Sequence, residues 1–226
     1  MIKNQSFINN LRAFLFPIIK RFIDIVSSLI LLTIFSPVLV IISLIIKITS
    51  EGPILLRQKR VGKNGEFIMY KFRSMYNGKD YPNDMDAFLR DKYPHLWKKF
   101  VENGWKLPMN EDPRITPIGK FIRKTSIDEM AQFINVLRGE MSLVGPRAYR
   151  NEELAEYEKK YPESKKYVDI IKTAKPGITG LWQTSGRNDM TFEQRAKLDA
   201  KYIKNRSLRQ ELQIILKTPF AMLSIW

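Results

Sequence analysis

Hydrophobic and polar positions follow different rules on either side of residue 50. In residues 1–21, Leu11, Phe14, Leu15, Ile18 and Ile19 recur at helical spacing among Arg12, Lys20 and Arg21. That pattern predicts a basic, amphipathic lead-in suited to the headgroup layer of a membrane. From Ile25 to Ile46 the polar positions carry no charge. At about 1.5 Å per residue, these roughly 22 residues could cross a bilayer as a straight helix. Ser36-Pro37 sits near the middle. Pro37 has no N–H and its ring pushes on the Thr33 carbonyl, so a kink or break is expected, with the Thr33 and Ser36 hydroxyls placed to satisfy freed carbonyls.

The flanking charges bear on topology. Lys20 and Arg21 precede the stretch, and Lys47, Arg57, Lys59 and Arg60 follow it. Lys and Arg gather on the cytoplasmic side of membrane segments, so two basic ends favour entry and exit on one face over a kinked span. A buried core helix is the third reading, and the length fits it poorly.

After Glu51-Gly52-Pro53 the periods shorten. Ile54–Lys59 and Glu66–Arg73 read as strands joined by Gly62-Lys63-Asn64-Gly65, a hairpin whose Asn-Gly suits positive φ. Helical spacing returns over 84–103, with Pro94 splitting it in two. A short helix is expected from Pro117 to Arg123, with proline in its first turn. A longer one is expected from Ser126 to about Arg138, with Ile127, Met130, Phe133, Ile134 and Leu137 on one face and Gly139 as its stop. Further helices are expected over 151–167, over Phe192–Ile203, and from Leu208 to Trp226 with an interruption at Pro219. Lys175–Gly180 reads as a loop and Leu181–Gly186 as a short extended piece. The expected fold is α+β and mostly helical. Residues 1–50 are expected to form the interfacial lead-in and membrane helix, and 51–226 a separate domain with interfacial helices.

Composition sharpens this. Among 226 residues, 38 Lys and Arg face 23 Asp and Glu, a net charge of +15. Such an excess calls for anionic partners, and beside a membrane segment lipid and phosphate outrank nucleic acid. The absence of cysteine excludes disulfides and thiolate metal sites, and the lone His95 excludes a multi-histidine centre. A cleavable leader is not expected, because the apolar run is too long and starts too late.

Asp128-Glu129 is the first candidate for chemistry. Ser126-Ile127-Asp128-Glu129 has the form of a capping box, which would make both acids structural. The same carboxylates lie beside Lys120, Arg123 and Lys124, a positive field that holds them ionised and attracts phosphate. An ionised aspartate there can attack phosphorus, and two adjacent carboxylates can hold Mg²⁺. Arg147, after the rigid Gly145-Pro146, can grip phosphate or nucleotide or stay a solvated loop arginine. Gln183, Arg187 and Asp199 lie in a Gly-rich neighbourhood and could contact substrate. There is no Walker A loop and no GxGxxG. Asp84-Met85-Asp86 has the form of a metal-binding DxD, but acids are expected at the start of a helix in any case.

The motifs in order resemble the bacterial sugar transferases, the monotopic phosphoglycosyl transferases. The resemblance rests on Lys20-Arg21-Phe22-Ile23-Asp24, Ser36-Pro37, Gln58-Lys59-Arg60-Val61-Gly62, and Tyr70-Lys71-Phe72-Arg73-Ser74-Met75. It continues through Asp112-Pro113-Arg114-Ile115-Thr116, Arg123-Lys124-Thr125-Ser126-Ile127-Asp128-Glu129, and Gly139-Glu140-Met141-Ser142-Leu143-Val144-Gly145-Pro146-Arg147. It closes with Lys175-Pro176-Gly177-Ile178-Thr179-Gly180-Leu181-Trp182-Gln183, Gly186-Arg187 and Leu198-Asp199.

The resemblance implies a re-entrant helix broken at Ser36 and Pro37 in the bacterial inner membrane, with the catalytic domain on the cytoplasmic face. It also implies transfer of a sugar-1-phosphate from a UDP-sugar to polyprenyl (undecaprenyl) phosphate, releasing UMP, as the first membrane step of surface polysaccharide assembly. Asp128 would be the nucleophile and a Mg²⁺ ligand, with Glu129 its acid/base partner. Arg123 and Arg147 would bind phosphate or nucleotide. Phospholipid is the expected surface partner, no nucleic acid is expected, and a homo-oligomer is compatible with the pattern. The chain departs from the family at Ala148, where a second proline is usual. Residues 78–112 are longer than in the smallest members, as in those that transfer hexose-1-phosphates, and the chain reads as close to the minimal catalytic form. The alternative from another class is a non-catalytic, membrane-attached scaffold that holds anionic lipid or nucleic acid.

Overall fold

A computed structural model describes residues 2–76, 81, 84–103, 107–186 and 190–223, with side chains described from 14 to 221. It is mostly helical, with two small two-stranded sheets. Helix α1 runs Ile2–Thr49. Its segment Phe14–Thr49 is long and apolar enough to cross a membrane by length and composition. Large side chains such as Phe14, Ile18, Phe22, Ile34, Val40 and Leu44 are exposed along it. The helix continues through Ser36 and Pro37, which is compatible with a kink, the other form the expected disruption could take. A proline removes one i→i−4 bond and leaves the bonds of neighbouring turns in place. Neither Thr33 nor Ser36 is without a partner.

The hairpin forms from β1 (Leu55–Gly62) and β2 (Gly65–Phe72). Its turn differs from the expected Asn-Gly geometry. Gly65 has a φ of 99°, and Asn64 is not in the positive-φ region. A lone left-handed glycine after an ordinary turn is the longer-loop solution to the same strand twist.

The chain divides into two compact units. The first comprises Met1–Thr33, Lys59–Met69 and Gln132–Ile225, and the second Ile34–Gln58 and Tyr70–Ala131. In the second unit, Ile42, Ile46, Phe72, Ile122 and Ala131 form a buried core. Helices α2 (Met85–Lys92) and α3 (Pro94–Glu102) are separated at Pro94 as expected. Arg114 ties them down. Its guanidinium donates to Asp112 Oδ1 at 2.8 Å, Asp112 Oδ2 at 2.7 Å and Asp86 Oδ1 at 2.7 Å, and lies 4.6 Å over the Phe100 ring. Removing one partner from so buried an ion pair typically costs about 3–5 kcal/mol. Asp84 caps α2 by accepting from Ala87 N–H, so Asp84 and Asp86 both serve structure rather than a metal. Helix α4 (Pro117–Lys124) starts at Thr116, whose hydroxyl accepts from Gly119 N–H.

The first unit holds α5 (Gln132–Arg138), β3 (Ser142–Val144), α6 (Asn151–Lys160), α7 (Lys165–Ile171), β4 (Gly177–Thr179), α8 (Phe192–Asn205) and α9 (Leu208–Leu223). Strands β3 and β4 pair in parallel, Ser142 with Gly177 and Val144 with Thr179, so a strand stands within Lys175–Gly180, which reads as loop in the sequence. Three-residue strands are too short to show alternation. Pro162 separates α6 from α7, splitting the single helix expected over 151–167. Leu181–Gly186 forms turns, not an extended piece. Pro219 lies inside α9 without ending it. Tyr149, Leu154, Val168, Ile171, Phe192 and Ala196 form the largest core here.

Buried polar side chains attach α1 to this unit. Asp24 accepts from Ser142 Oγ at 2.7 Å, from Leu143 N–H at 3.1 Å and from Lys20 at 3.1 Å. Lys20 also pairs with Glu211 of α9 at 2.6 Å. Arg21 donates to the Val136 and Leu137 carbonyls at 2.5 and 2.9 Å, closing the C-terminal end of α5.

Candidate active site

Asp128 and Glu129 lie on a 3₁₀ segment, Ile127–Ala131, that precedes α5. The expected capping box does not form there. Ser126 adopts φ 56°, outside the extended range of an N-cap. Its N–H donates to the Arg123 carbonyl and its own carbonyl accepts from Glu129 N–H, each at 3.1 Å. A non-glycine residue in this region costs on the order of 1 kcal/mol, and such strain concentrates where chemistry needs a fixed geometry. A capping box does form at Thr191 and Gln194, at the start of α8.

The elements around Asp128 explain how cations reach it. After β2 the chain passes through Ser74, whose carbonyl accepts from Thr116 N–H at 3.1 Å. Gly119 allows α4 to lie directly on that backbone, since a Cβ there would be 2.0 Å from the Ser74 oxygen. Arg123, one turn further along α4, donates from Nε to Ser74 Oγ at 2.7 Å. Lys71 in β2 extends its ammonium to Glu129 Oε1 at 2.7 Å and to Asp128 Oδ2 at 3.9 Å.

Asp128 is buried, and burial pushes its carboxyl up to about 6. Lys71 and Arg123 pull it down, while Glu129 pushes it further up. At pH 7 most of the population is therefore ionised, in a site with little water to solvate the charge. Burial lowers the Arg123 guanidinium against the opposing pull of Asp128. The result is a desolvated carboxylate flanked by two cations and a second carboxylate, an arrangement chemically able to attack a phosphate. Lys71 and Ser74 were not singled out from the sequence. Lys71 shares a strand face with the buried Met69, two residues before it, and a lysine at such a position requires an acidic partner.

The other residues expected at the site gather in the first unit. The Arg147 guanidinium lies 5.3 Å over the Trp182 ring, and Arg195 lies 5.8 Å from the same ring. Asp199 is fully buried, and its Oδ2 accepts from Arg147 N–H and from Tyr149 OH, each at 3.0 Å. Burial raises its carboxyl to about 7, against those two hydrogen bonds and the nearby guanidiniums. Gln183 donates to the Ile178 carbonyl at 3.1 Å. Glycines let the two loops here touch, since a Cβ on Gly177 would be 2.1 Å from Gly145 N. Asp199 Oδ2 and Gln183 Nε2 thus hold backbone, while Asp199 Oδ1, Gln183 Oε1 and Arg147 Nε each lack a hydrogen-bond partner among the described residues, Arg147 Nε lying 4.0 Å from Glu153 Oε1. Arg187 lies outside the described residues.

Among the described residues no group of three or more His, Cys, Asp or Glu could hold a metal. Asp128 and Glu129 still offer hard oxygens. One or two carboxylates completed by substrate phosphate and water is the coordination Mg²⁺ favours, so the donor set fits that ion.

Comparison with known proteins follows the same outline. The family model described as bacterial sugar transferase matches residues 15–225. The chain is 42% identical over 206 residues to an undecaprenyl-phosphate galactose phosphotransferase of Salmonella typhimurium, covering 88% of this chain and 39% of that protein. It is 37% identical over 211 residues to a UDP-glucose:undecaprenyl-phosphate glucose-1-phosphate transferase of Escherichia coli, covering 90% and 40%. It is 35% identical over 203 residues to the exopolysaccharide production protein ExoY of Rhizobium meliloti, covering 88% and 83%. The chain spans about two fifths of the length of the first two relatives.

Proposed function

The chain belongs to the bacterial sugar transferase family, and from that premise we propose that it transfers a sugar-1-phosphate from a UDP-sugar to polyprenyl phosphate, releasing UMP. The names of the Salmonella and Escherichia relatives support this substrate class. The observation that carries it is the buried Asp128 carboxylate beside Lys71 and Arg123.

The reaction runs as two displacements. An Asp128 oxygen attacks the sugar-bearing β-phosphorus. The bond from that phosphorus to the bridging oxygen breaks, and UMP leaves with the electron pair. A phosphate oxygen of the polyprenyl phosphate then attacks the same phosphorus, and the Asp128 carboxylate is released. Glu129 takes the acceptor's proton when the acceptor arrives as a monoanion. Lys71 and Arg123 neutralise charge on the phosphoryl oxygens, and Arg147 contributes to holding the UMP portion. Mg²⁺ belongs to the proposal, with Asp128 as its protein ligand. When bound it supplies charge neutralisation on the diphosphate.

The membrane arrangement belongs to the same proposal. A helix that crossed the bilayer would leave Arg21 and Ile46 on opposite sides. Arg21 holds the Val136 and Leu137 carbonyls, while Ile42 and Ile46 share a core with Ala131, just before them in the chain. Those contacts support re-entry, with the exposed apolar middle of α1 in one leaflet. The exposed Leu208, Leu212, Leu216 and Phe220 of α9 recur every fourth residue, a stripe suited to the interface. A lipid phosphate then meets Asp128 without leaving headgroup depth, on the cytoplasmic side of the inner membrane.

The test is a panel of UDP-sugars incubated with the protein, Mg²⁺ and polyprenyl phosphate. Mg²⁺-dependent UMP release is expected with at least one donor. Labelled UMP should also exchange into that donor without acceptor, which only a covalent route permits. Steeply salt-dependent polyanion binding with no UMP release would identify a scaffold instead.

A further inference from the structure

The second unit carries a cleft of about 550 Å³ that the two displacements do not use. Tyr76, Asn110, Glu111, Pro113, Pro117 and Lys120 contribute to its lining. We propose that this cleft receives the hexosyl group of the donor and that Tyr76 and Asn110 read its hydroxyls. The inference rests on the sugar-phosphate transfer proposed above and deepens it.

The lining divides into committed and uncommitted groups. Both oxygens of the neighbouring Asp112 are held by Arg114, and Glu111 pairs with Lys99. Among the described residues, the Tyr76 hydroxyl, the Asn110 amide and the Lys120 ammonium have no hydrogen-bond or ion-pair partner. A hydroxyl and an amide both donate and accept, which is the requirement for reading sugar hydroxyls. A lone lysine gives too little positive charge for a diphosphate, whereas Pro113, Pro117 and the half-exposed Tyr76 ring offer apolar surface to the C–H face of a pyranose.

The position of the cleft fits the same ligand. Lys120 and Arg123 stand three apart on α4 and so share a face, one helical turn or about 5 Å along the axis. Arg123 is the cation held against Ser74 and electrostatically coupled to Asp128. A donor with its β-phosphorus at Asp128 would thus have the cleft within reach of its sugar ring. The cleft wall is also fixed. Asn110 and Glu111 sit on a turn closed by Glu111 N–H to the Pro108 carbonyl at 3.0 Å, and Tyr76 N–H donates to the Arg114 carbonyl at 2.8 Å. Rigid donors and acceptors discriminate epimers because a misplaced hydroxyl leaves them unpaired.

The experiment compares the full-length protein with Tyr76→Phe and Asn110→Ala on UDP-galactose, UDP-glucose and their N-acetylated analogues, with polyprenyl phosphate and Mg²⁺. Both residues are exposed, so neither change removes core packing, and UDP inhibition reports an intact nucleotide site. The ratio of kcat/KM between the best donor and its epimer should fall about tenfold in at least one variant. The inhibition constant for UDP and the KM for polyprenyl phosphate should stay within about twofold. Variants that keep the wild-type epimer ratio overturn the proposal, as does a wild type that uses all donors equally. A raised acceptor KM with an unchanged ratio also overturns it and assigns the cleft to the lipid phosphate. Absence of UMP release by the wild type from every donor is a separate result, which overturns the transfer reading itself.

Discussion

Asp128 and Asp199 are both buried aspartates whose carboxyls are pushed up, to about 6 and about 7, by the same loss of solvent. Their surroundings assign them opposite work. Asp199 directs one oxygen to a backbone N–H and a tyrosine hydroxyl, fixed donors that any displacement would leave unpaired. Asp128 faces the side-chain ends of Lys71 and Arg123, on a 3₁₀ turn that follows the left-handed Ser126. A raised pKa alone therefore does not mark a nucleophile. Side-chain cations that can be shared with an incoming phosphate are what support the role proposed for Asp128.

The largest expected effect breaks this comparison at its centre. Asp128→Asn should lower UMP release by about 1,000-fold or more, whereas Asp199→Asn should stay within about tenfold. Equal losses in the two variants would remove the distinction. Next, Lys71→Met should cost about 100-fold and move the acidic limb of the pH–rate profile upward, because the cation nearest Asp128 is gone. A loss of rate without that shift would leave Lys71 a structural strand residue. Third, wild-type turnover should fall about tenfold per pH unit below about 6, since only ionised Asp128 attacks. A rate flat from pH 7 down to pH 5 would exclude a titrating nucleophile.

The last effect is on stability and leaves the rate aside. In the unfolded chain an aspartate titrates near its ordinary value of 3.8, while Asp199 in the fold titrates near 7. Between those values the folded state binds the extra proton. The contribution of this group is thus fully present below the unfolded value and is lost as pH rises to about 7, at up to about 1.4 kcal/mol per pH unit. Asp199→Asn should flatten the pH dependence of chemical denaturation between pH 5 and 7. An unchanged slope would mean that other groups govern it.

The parts of the structure legible in the sequence are those with local causes. Pro94 splits two helices, Thr116-Pro117 starts another, and Gly65 turns a hairpin, each through its own backbone preferences. The apolar stretch of α1 was equally plain, but a proline proved a weaker stop than expected at Pro219, which lies inside α9. Asp128 and Glu129 were found because acids beside basic residues are conspicuous. Their setting was not, because the left-handed Ser126 and the loss of its capping box depend on how α4 packs against Ser74. The role of Asp199 was hidden for a different reason: its partners Arg147 and Tyr149 are about fifty residues away, and no spacing rule reaches that far. Lys71 was visible only as part of a motif, until the strand face showed which way it pointed.

The guanidinium of Arg21 gives the membrane helix a second duty. It donates to the Val136 and Leu137 carbonyls at the end of α5, the helix that continues directly from the turn bearing Asp128. Cutting the anchor away to obtain a water-soluble enzyme would therefore uncap that helix as well as free it from lipid. Poor activity in such a trimmed protein would reflect a frayed catalytic helix as much as a missing bilayer.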